Sequence, residues 1–187
     1  MKLVIGLGNP GKQYIKTRHN AGFIFLDALH DSLLKTQSVS RWELSKKFNA
    51  EIAEGTFKGQ KIILAKPMTF MNLSGQTAQL ISHYYKLKPA DTIVAHDDKD
   101  LKLGDCKIQT DKGHAGHNGV RSIIEHLGTK SITRIRLGIA PENPKKIRDS
   151  SVFVLSKFAL LEKKPFQSMI KKAVELSFGL LQDQAHK

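Results

Sequence analysis

Leu3, Val4, Ile5 and Leu7 form a short apolar run with a β-branched centre, stopped by Gly8-Asn9-Pro10-Gly11. A run this short, bounded by turn residues, predicts a buried strand that feeds a loop. From Ala21 the period changes. Phe23, Leu26, Leu29 and Leu33 recur at helical intervals, and Asn20 stands at the N-cap position. Residues 48–57 and 61–66 predict two strands joined by a turn at Lys58-Gly59-Gln60. Pro67 to Leu73 predicts a loop, and Ser74 opens a helix to about Lys86 with Leu80, Ile81, Tyr84 and Tyr85 inward. A strand from Thr92 to His96 ends in Asp97-Asp98, and residues 105–110 predict another. A glycine-rich loop, 113–119, precedes a helix through Ile123, Ile124 and Leu127. Ile132 to Ile139 alternates Arg134 and Arg136 with apolar residues, which predicts a strand with one polar face. Pro141 to Ser151, rich in Pro, Asn, Lys and Ser, predicts a mobile basic surface loop. Pro165 suits the first turn of a last helix, about 163–182, with Phe166, Met169, Ile170, Ala173 and Val174 on one side.

Strands that alternate with helices, interrupted by one hairpin, predict an α/β fold: a three-layer α/β/α arrangement around a mixed, mostly parallel sheet. With no internal repeat and no long linker, residues 1–187 read as a single domain. The composition, 40% hydrophobic and 25% charged, is that of a globular chain and excludes collagen-like, coiled-coil and disordered classes. A single cysteine, Cys106, excludes an internal disulfide and any Cys-rich zinc site. The first apolar run is too short for a signal peptide, and no stretch reaches the length of a membrane span, so a cytoplasmic location is expected.

Charge changes the picture more. The net charge is +13, and residues 99–148 hold eleven Lys and Arg against five Asp and Glu, with no aromatic residue. That pattern predicts an anionic partner, nucleic acid first, held by phosphate contact rather than by base stacking.

Several candidates for chemistry follow. Gly6-Leu7-Gly8-Asn9-Pro10-Gly11 fits G-x-G-x-x-G, but Pro10 and Gly11 disfavour the immediate helix that a dinucleotide site needs. The glycines instead allow a sharp turn that carries Asn9 into a cleft. Among eight histidines, His19 ends a loop on a rigid frame, a good place for a general base. His96-Asp97-Asp98 sits where open α/β sheets keep their ligands, and an Asp there can orient a histidine. On local features alone, a turn cluster of acids capping the strand explains it at least as well. His114 and His117 beside Asp97, Asp98 and Asp100 lack a metalloprotease spacing, so no metal is expected. There is no G-x-S-x-G, and Cys106 has no obvious histidine partner. A hydrolase built on this chain would activate water directly. Asn9, Asn72 and Asn118 lie in irregular or Gly-rich segments, where each amide can donate and accept.

Taken together, GLGNPGKQY (6–14), TRHNAG (17–22), KPMTFMNLSG (66–75), VAHDDKDLKLG (94–104), GHAGHNGVRSII (113–124) and RIRLGI (134–139) occur in one order and spacing, followed by VFVLSKF (152–158). In this the chain resembles the bacterial peptidyl-tRNA hydrolases. The resemblance implies a monomeric α/β enzyme without cofactor or metal that hydrolyses the ester between peptide and tRNA and so recycles tRNA. It implies His19 as general base and Asp97 as its orienting partner. It implies Asn9, Tyr14, Phe70, Met71, Asn72, His117 and Asn118 as substrate-binding residues, and Arg136 with the basic loop before His117 as the tRNA-phosphate region. Gln109 stands where relatives carry a phosphate-binding lysine, so Lys107 or Lys112 is the expected substitute. The competing class is an RNA-binding module without catalysis, which explains the charge but not the His19, Asp97 and triple-Asn set.

Overall fold

In the computed structural model, which describes residues 1–36, 38–143 and 147–182, the first apolar run lies at the centre of the sheet. Strand β1 (Lys2–Gly6) is flanked by β4 (Gln60–Pro67) and β5 (Thr92–Lys102), parallel to both, with Val4 level with Leu64 and Ile93. Strand β7 (Thr133–Ala140) adds in parallel to β5. One edge is antiparallel, through β3 (Ala50–Phe57) on β4 and the short β2 (Glu43–Ser45) on β3. The other edge is β6 (Cys106–Gln109), antiparallel to β7. The order is β2-β3-β4-β1-β5-β7-β6. Strands β1, β2, β4, β5 and β7 run one way and β3 and β6 the other, which is the expected mixed sheet in a single domain.

The period-2 alternation along β1 divides the core between the two faces. Val4, Leu64, Ile93 and Ile135 meet Phe25, Leu26 and Leu29 of α1 (Ala21–Leu34) and Met169, Ile170 and Ala173 of α5 (Leu160–Gln182). Leu3, Ile5, Ile63 and Val94 meet Ala78 and Ile81 of α2 (Ser74–Tyr84) and Val120 and Ile123 of α3 (Asn118–Leu127). Each Val, Leu, Ile, Phe or Met among them, when fully enclosed, contributes about 1.5–3 kcal/mol.

Several sequence expectations are corrected by packing. The hairpin turn is as expected, with Lys58 and Gly59 both at positive φ, the geometry of a two-residue turn that matches strand twist. Strand β5 does not stop at His96. It continues through Asp97-Asp98 to Lys102 because β7 keeps pairing with it, Asp97 against Leu137 and Asp98 against Gly138, with a register shift before Lys102. Glycine is required at 138, where a side chain would collide with the Lys102 carbonyl. Helix α2 ends at Tyr84, and Leu80 and Tyr84 point outward at 46% and 54% exposure. Ile81 is buried as expected and Tyr85 packs half-buried on the same core; the rest of the buried face is Ser74, Gly75, Thr77, Ala78 and Ser82. Small residues let α2 approach α3 so closely that Gly75 N–H donates to Ser122 Oγ (3.0 Å). Helix α5 starts at Leu160, so Pro165 is its sixth residue. Glu162, the third, accepts the Ala159 N–H (2.7 Å) and sets the earlier start. Part of the expected mobile loop is a short helix, α4 (Ser150–Leu155), capped by Asp149, whose Oδ1 accepts from Ser151 N and Val152 N. Pro144, Lys145 and Lys146 of that loop lie outside the described residues.

Candidate active site

Helix α1 starts hard against the sheet. A side chain at Gly22 would collide with the Ala95 carbonyl and the Leu7 backbone. The single 3-10 turn before it, Arg18–Asn20, is thereby held over β1 and β5, and it carries His19. Asp97, on β5, is 2% exposed. His19 Nδ1 lies 2.9 Å from Asp97 Oδ1. A carboxylate accepts only, so Nδ1 carries the proton and donates it to that bond. His19 Nε2 is then a bare lone pair, with no hydrogen-bond partner among the described residues.

A second imidazole meets the same oxygen. His117 is the N-cap of α3, and its Nδ1 accepts from Gly119 N (3.2 Å) and Val120 N (3.3 Å). Those two bonds fix the tautomer, so Nε2–H donates to Asp97 Oδ1 at 3.0 Å. Burial pushes the Asp97 carboxyl up, but the imidazoles of His19 and His117 outweigh burial and hold it well below the usual carboxylate range.

A third histidine supports the second. His96 donates from Nδ1 to the Asp97 carbonyl (2.7 Å), its ring meets that of His117 edge-on (4.8 Å), and its Nε2 is buried without a partner. Burial, aided by the neighbouring His117, pushes this imidazole down to about 3. His96 is therefore neutral in the fold, while the unfolded chain takes up a proton below about 6.5. Its contribution to stability is complete well above pH 6.5 and is lost as pH falls toward 3, by on the order of 2 kcal/mol between pH 6.5 and 5. Urea unfolding at pH 7 and pH 5 measures this. His96→Asn, which keeps a donor toward the Asp97 carbonyl, should lose that part of the acid sensitivity; an equal fall in both proteins would refute the assignment.

Asn9 follows β1, and its Oδ1 accepts the Met71 N–H (2.8 Å). Asn20 brackets the Asn9 backbone, accepting its N–H (2.9 Å) and donating to its carbonyl (3.0 Å). The expected N-cap bond from the Asn20 side chain is absent because the side chain is used here instead. Asn9 Nδ2 keeps its protons without a partner among the described residues. Met71 is buried, and its sulfur packs on Gly119 at the start of α3. A closed circuit results: His19 to Asn20, Asn9, Met71, Gly119, His117, Asp97 and back to His19. Phe70, 57% exposed, and Asn72, also exposed, flank Met71. Asn118 opens α3 and accepts from Arg121 Nη2 (3.1 Å). Tyr14 lies in the loop before the turn, with its carbonyl bonded to Thr17 and its phenol without a polar partner among the described residues.

A cavity of about 540 Å³ opens beside the dyad, lined by His19, Asp97, His117, Asn118, Lys112 and Arg136 together with Ser150, Ser151 and Val154 of α4. Asn9, Tyr14, Phe70, Met71, Asn72 and Lys107 are not part of its lining. Lys107 is exposed on β6 across from Arg136. Arg136 donates from Nε to Asp98 Oδ2 and from Nη1 to Gln109 Oε1, both at 2.6 Å. Lys112 has no ion pair among the described residues.

Three participants were not singled out as site residues from sequence: Asn20, the α4 wall and the buried cavity-lining Arg134. Each left a trace of another kind there: Asn20 as a helix cap, α4 as part of VFVLSKF, and Arg134 in its alternation with Arg136 along one strand.

No described helix opens on residues 6–11; the next helix is α1, so the dinucleotide geometry is not formed. The ligand atoms of His19, Asp97 and His117 lie within 4.8 Å of one another, a different set from the His114-centred group considered from sequence. No described helix is long and apolar enough to cross a membrane.

A sequence-family profile described as peptidyl-tRNA hydrolase matches residues 3–187. A peptidyl-tRNA hydrolase of Brevibacillus brevis is 40% identical over 178 residues, covering 94% of this chain and 88% of that protein. One of Aquifex aeolicus is 44% identical over 174 residues, covering 93% and 86%. Among solved structures, the crystal structure of peptidyl-tRNA hydrolase from Acinetobacter baumannii matches with a TM-score of 0.86 at 34% identity, covering 97% of this chain and 89% of that one.

Proposed function

Since this chain belongs to the peptidyl-tRNA hydrolase family, we propose that it cleaves peptidyl-tRNA by activating water with His19, so that tRNA is recycled. The observation that carries this reading is the pair of imidazoles on one buried carboxylate oxygen, with His19 Nε2 left as an unengaged lone pair. That nitrogen takes a proton as water adds to the ester carbonyl. The resulting imidazolium is stabilised across the 2.9 Å bond to Asp97. The same proton then returns to the departing ribose oxygen, so acid and base are one residue. The leaving group is an alcohol, which needs less assistance than an amine, and neither a side-chain nucleophile nor a cofactor is required. Asn9 Nδ2 is a fixed amide donor for the substrate's peptide end, and we assign Asn72, Asn118, Tyr14, Phe70, Met71 and His117 to the same substrate. One chain carries the whole set, which supports action as a monomer, in the cytoplasm where peptidyl-tRNA arises.

The test is turnover of an N-acetylaminoacyl-tRNA in the presence of a chelator, beside the same tRNA with a free amino group. Cleavage of the acetylated substrate that resists chelation is expected. Binding without cleavage would favour an RNA-binding module, and loss of activity on chelation would point to a metal at the His19, Asp97 and His117 cluster.

For the tRNA backbone we propose Lys107, Lys112 and Arg136. Arg136 is already neutralised by Asp98, whereas Lys112 lines the cavity without an ion pair among the described residues. Lys112→Ala should therefore reduce the slope of log K against log salt by about one, for tRNAs of any sequence. A salt titration of tRNA binding reads this; an unchanged slope would remove Lys112 from the contact.

A further inference from the structure

His19 stands on a turn of three residues that lacks a side-chain cap. A single 3-10 turn has little stability of its own, so its orientation must come from its surroundings. On one side the anchor is Asn20, through the Asn9 backbone. On the other it is Arg18, which does not line the cavity and is only 6% exposed.

Among the described residues, the side-chain contacts of Arg18 run to the C-terminal segment. Nη2 donates to Glu162 Oε2 (2.6 Å), 144 residues away in sequence, and Nε to Ser156 Oγ (3.2 Å). The guanidinium carbon sits 4.6 Å and 4.7 Å from the ring centres of Phe153 and Phe158. The backbone repeats the connection, with Arg18 N–H donating to the Ser156 carbonyl (3.0 Å) and Thr17 bridging to Lys157. Glu162 is itself held by the Ala159 N–H at the start of α5. A buried guanidinium is costly unless paired and bonded; this one is paired through Nη2, bonded through Nε, stacked and tied through the backbone, while Nη1 is buried without a hydrogen-bond partner among the described residues. None of that apparatus meets the reacting atoms, but all of it ends one residue from the proposed base.

We infer that Arg18 is a positioning residue: by gripping α4 and the start of α5 it sets His19 against Asp97. The inference rests on the reading of His19 as base only for its effect on rate; the geometric claim stands apart from it. A misplacement of about 1 Å in a reacting group costs about 100-fold in rate. Helix α4 also forms a wall of the cavity, and Lys99 Nζ ties its first residue, Ser150, to β5 (2.9 Å). The seating of the base and the seating of that wall therefore share one set of contacts.

The experiment compares Arg18→Lys with the milder Glu162→Gln and Ser156→Ala in the full chain. It reads the downfield Nδ1–H proton of His19 by NMR, kcat and KM on N-acetylaminoacyl-tRNA, and thermal unfolding. Lysine keeps the charge but loses the planar fork and the stacking. The His19 resonance should broaden or vanish in Arg18→Lys, with kcat down about 10- to 100-fold and KM within about threefold. Glu162→Gln should move both readouts the same way to a smaller degree, and it carries the test if Arg18→Lys does not fold. A His19 resonance unchanged in the folded variants overturns the inference, whatever the rates. A resonance lost while kcat stays at the wild-type value leaves the positioning intact and removes His19 from the mechanism instead.

Discussion

His19→Ala should lower the turnover of an N-acetylaminoacyl-tRNA by about 10²- to 10⁴-fold while tRNA affinity stays within a few-fold, because a positioned general base contributes about that much. The substitution removes the cavity-facing imidazole whose Nε2 has no hydrogen-bond partner among the described residues, and it leaves the basic residues around Lys112 in place. It also leaves Asp97 with one donor, the Nε2–H of His117, so the carboxylate is not orphaned and the fold survives. Single-turnover rates measured beside a tRNA-binding isotherm separate the two effects. A rate within threefold of wild type would mean that the water is activated elsewhere. In the wild-type enzyme kcat should fall on the acid side with unit slope. Asp97 stays ionised well below the usual carboxylate range, so it adds no second limb there. An acid limb of slope two would contradict that.

Asp97→Asn should cost about 10²- to 10³-fold in kcat, with the fold retained. The asparagine oxygen can still accept from both imidazoles, so the hydrogen bonds survive and only the charge is lost. Two unit charges about 4 Å apart at an effective dielectric of about 20 interact by about 4 kcal/mol, which sets an upper limit near 10³. The loss should fall on kcat rather than on tRNA binding, since Asp97 is buried behind His19 and His117. Near-native activity in a folded Asp97→Asn protein would show that the carboxylate orients His19 without stabilising its charged form.

The strands and most helices were legible because their signals are local: the run Leu3 to Leu7, the turn residues Lys58-Gly59, the helical period from Ala21. His19 and Asp97 were legible as single positions, one ending a loop and one ending an apolar strand segment. Their pairing was implied by the family resemblance but not by local pattern, because the residues are 78 positions apart and the parallel placement of β1 and β5 joins them at 2.9 Å. The extension of β5 past Asp98 was hidden for a similar reason: acidic residues have little strand preference, and pairing with β7 overrode it. The inward face of α2 was misread because hydrophobicity marks large residues, whereas a close helix crossing selects small ones such as Gly75 and Ala78. Arg18 looked like one more positive charge. Its role depends on Phe153, Phe158 and Glu162, which no local pattern connects to it.

The central place of β1 has a consequence for the order of synthesis. Its residues are made before either of its sheet neighbours, which lie far downstream, β4 from Gln60 and β5 from Thr92. At about 5–20 residues per second, the edge facing β5 waits roughly 5–20 s for a partner. Through that interval Leu3, Val4 and Ile5 keep an open strand edge, the kind of feature that joins a neighbouring chain when its own partner is late. Helix α5, which covers the same sheet face as α1, arrives last of all. The chain therefore cannot enclose its first strand by local steps, and nascent copies crowded on one message compete for that edge until β5 emerges.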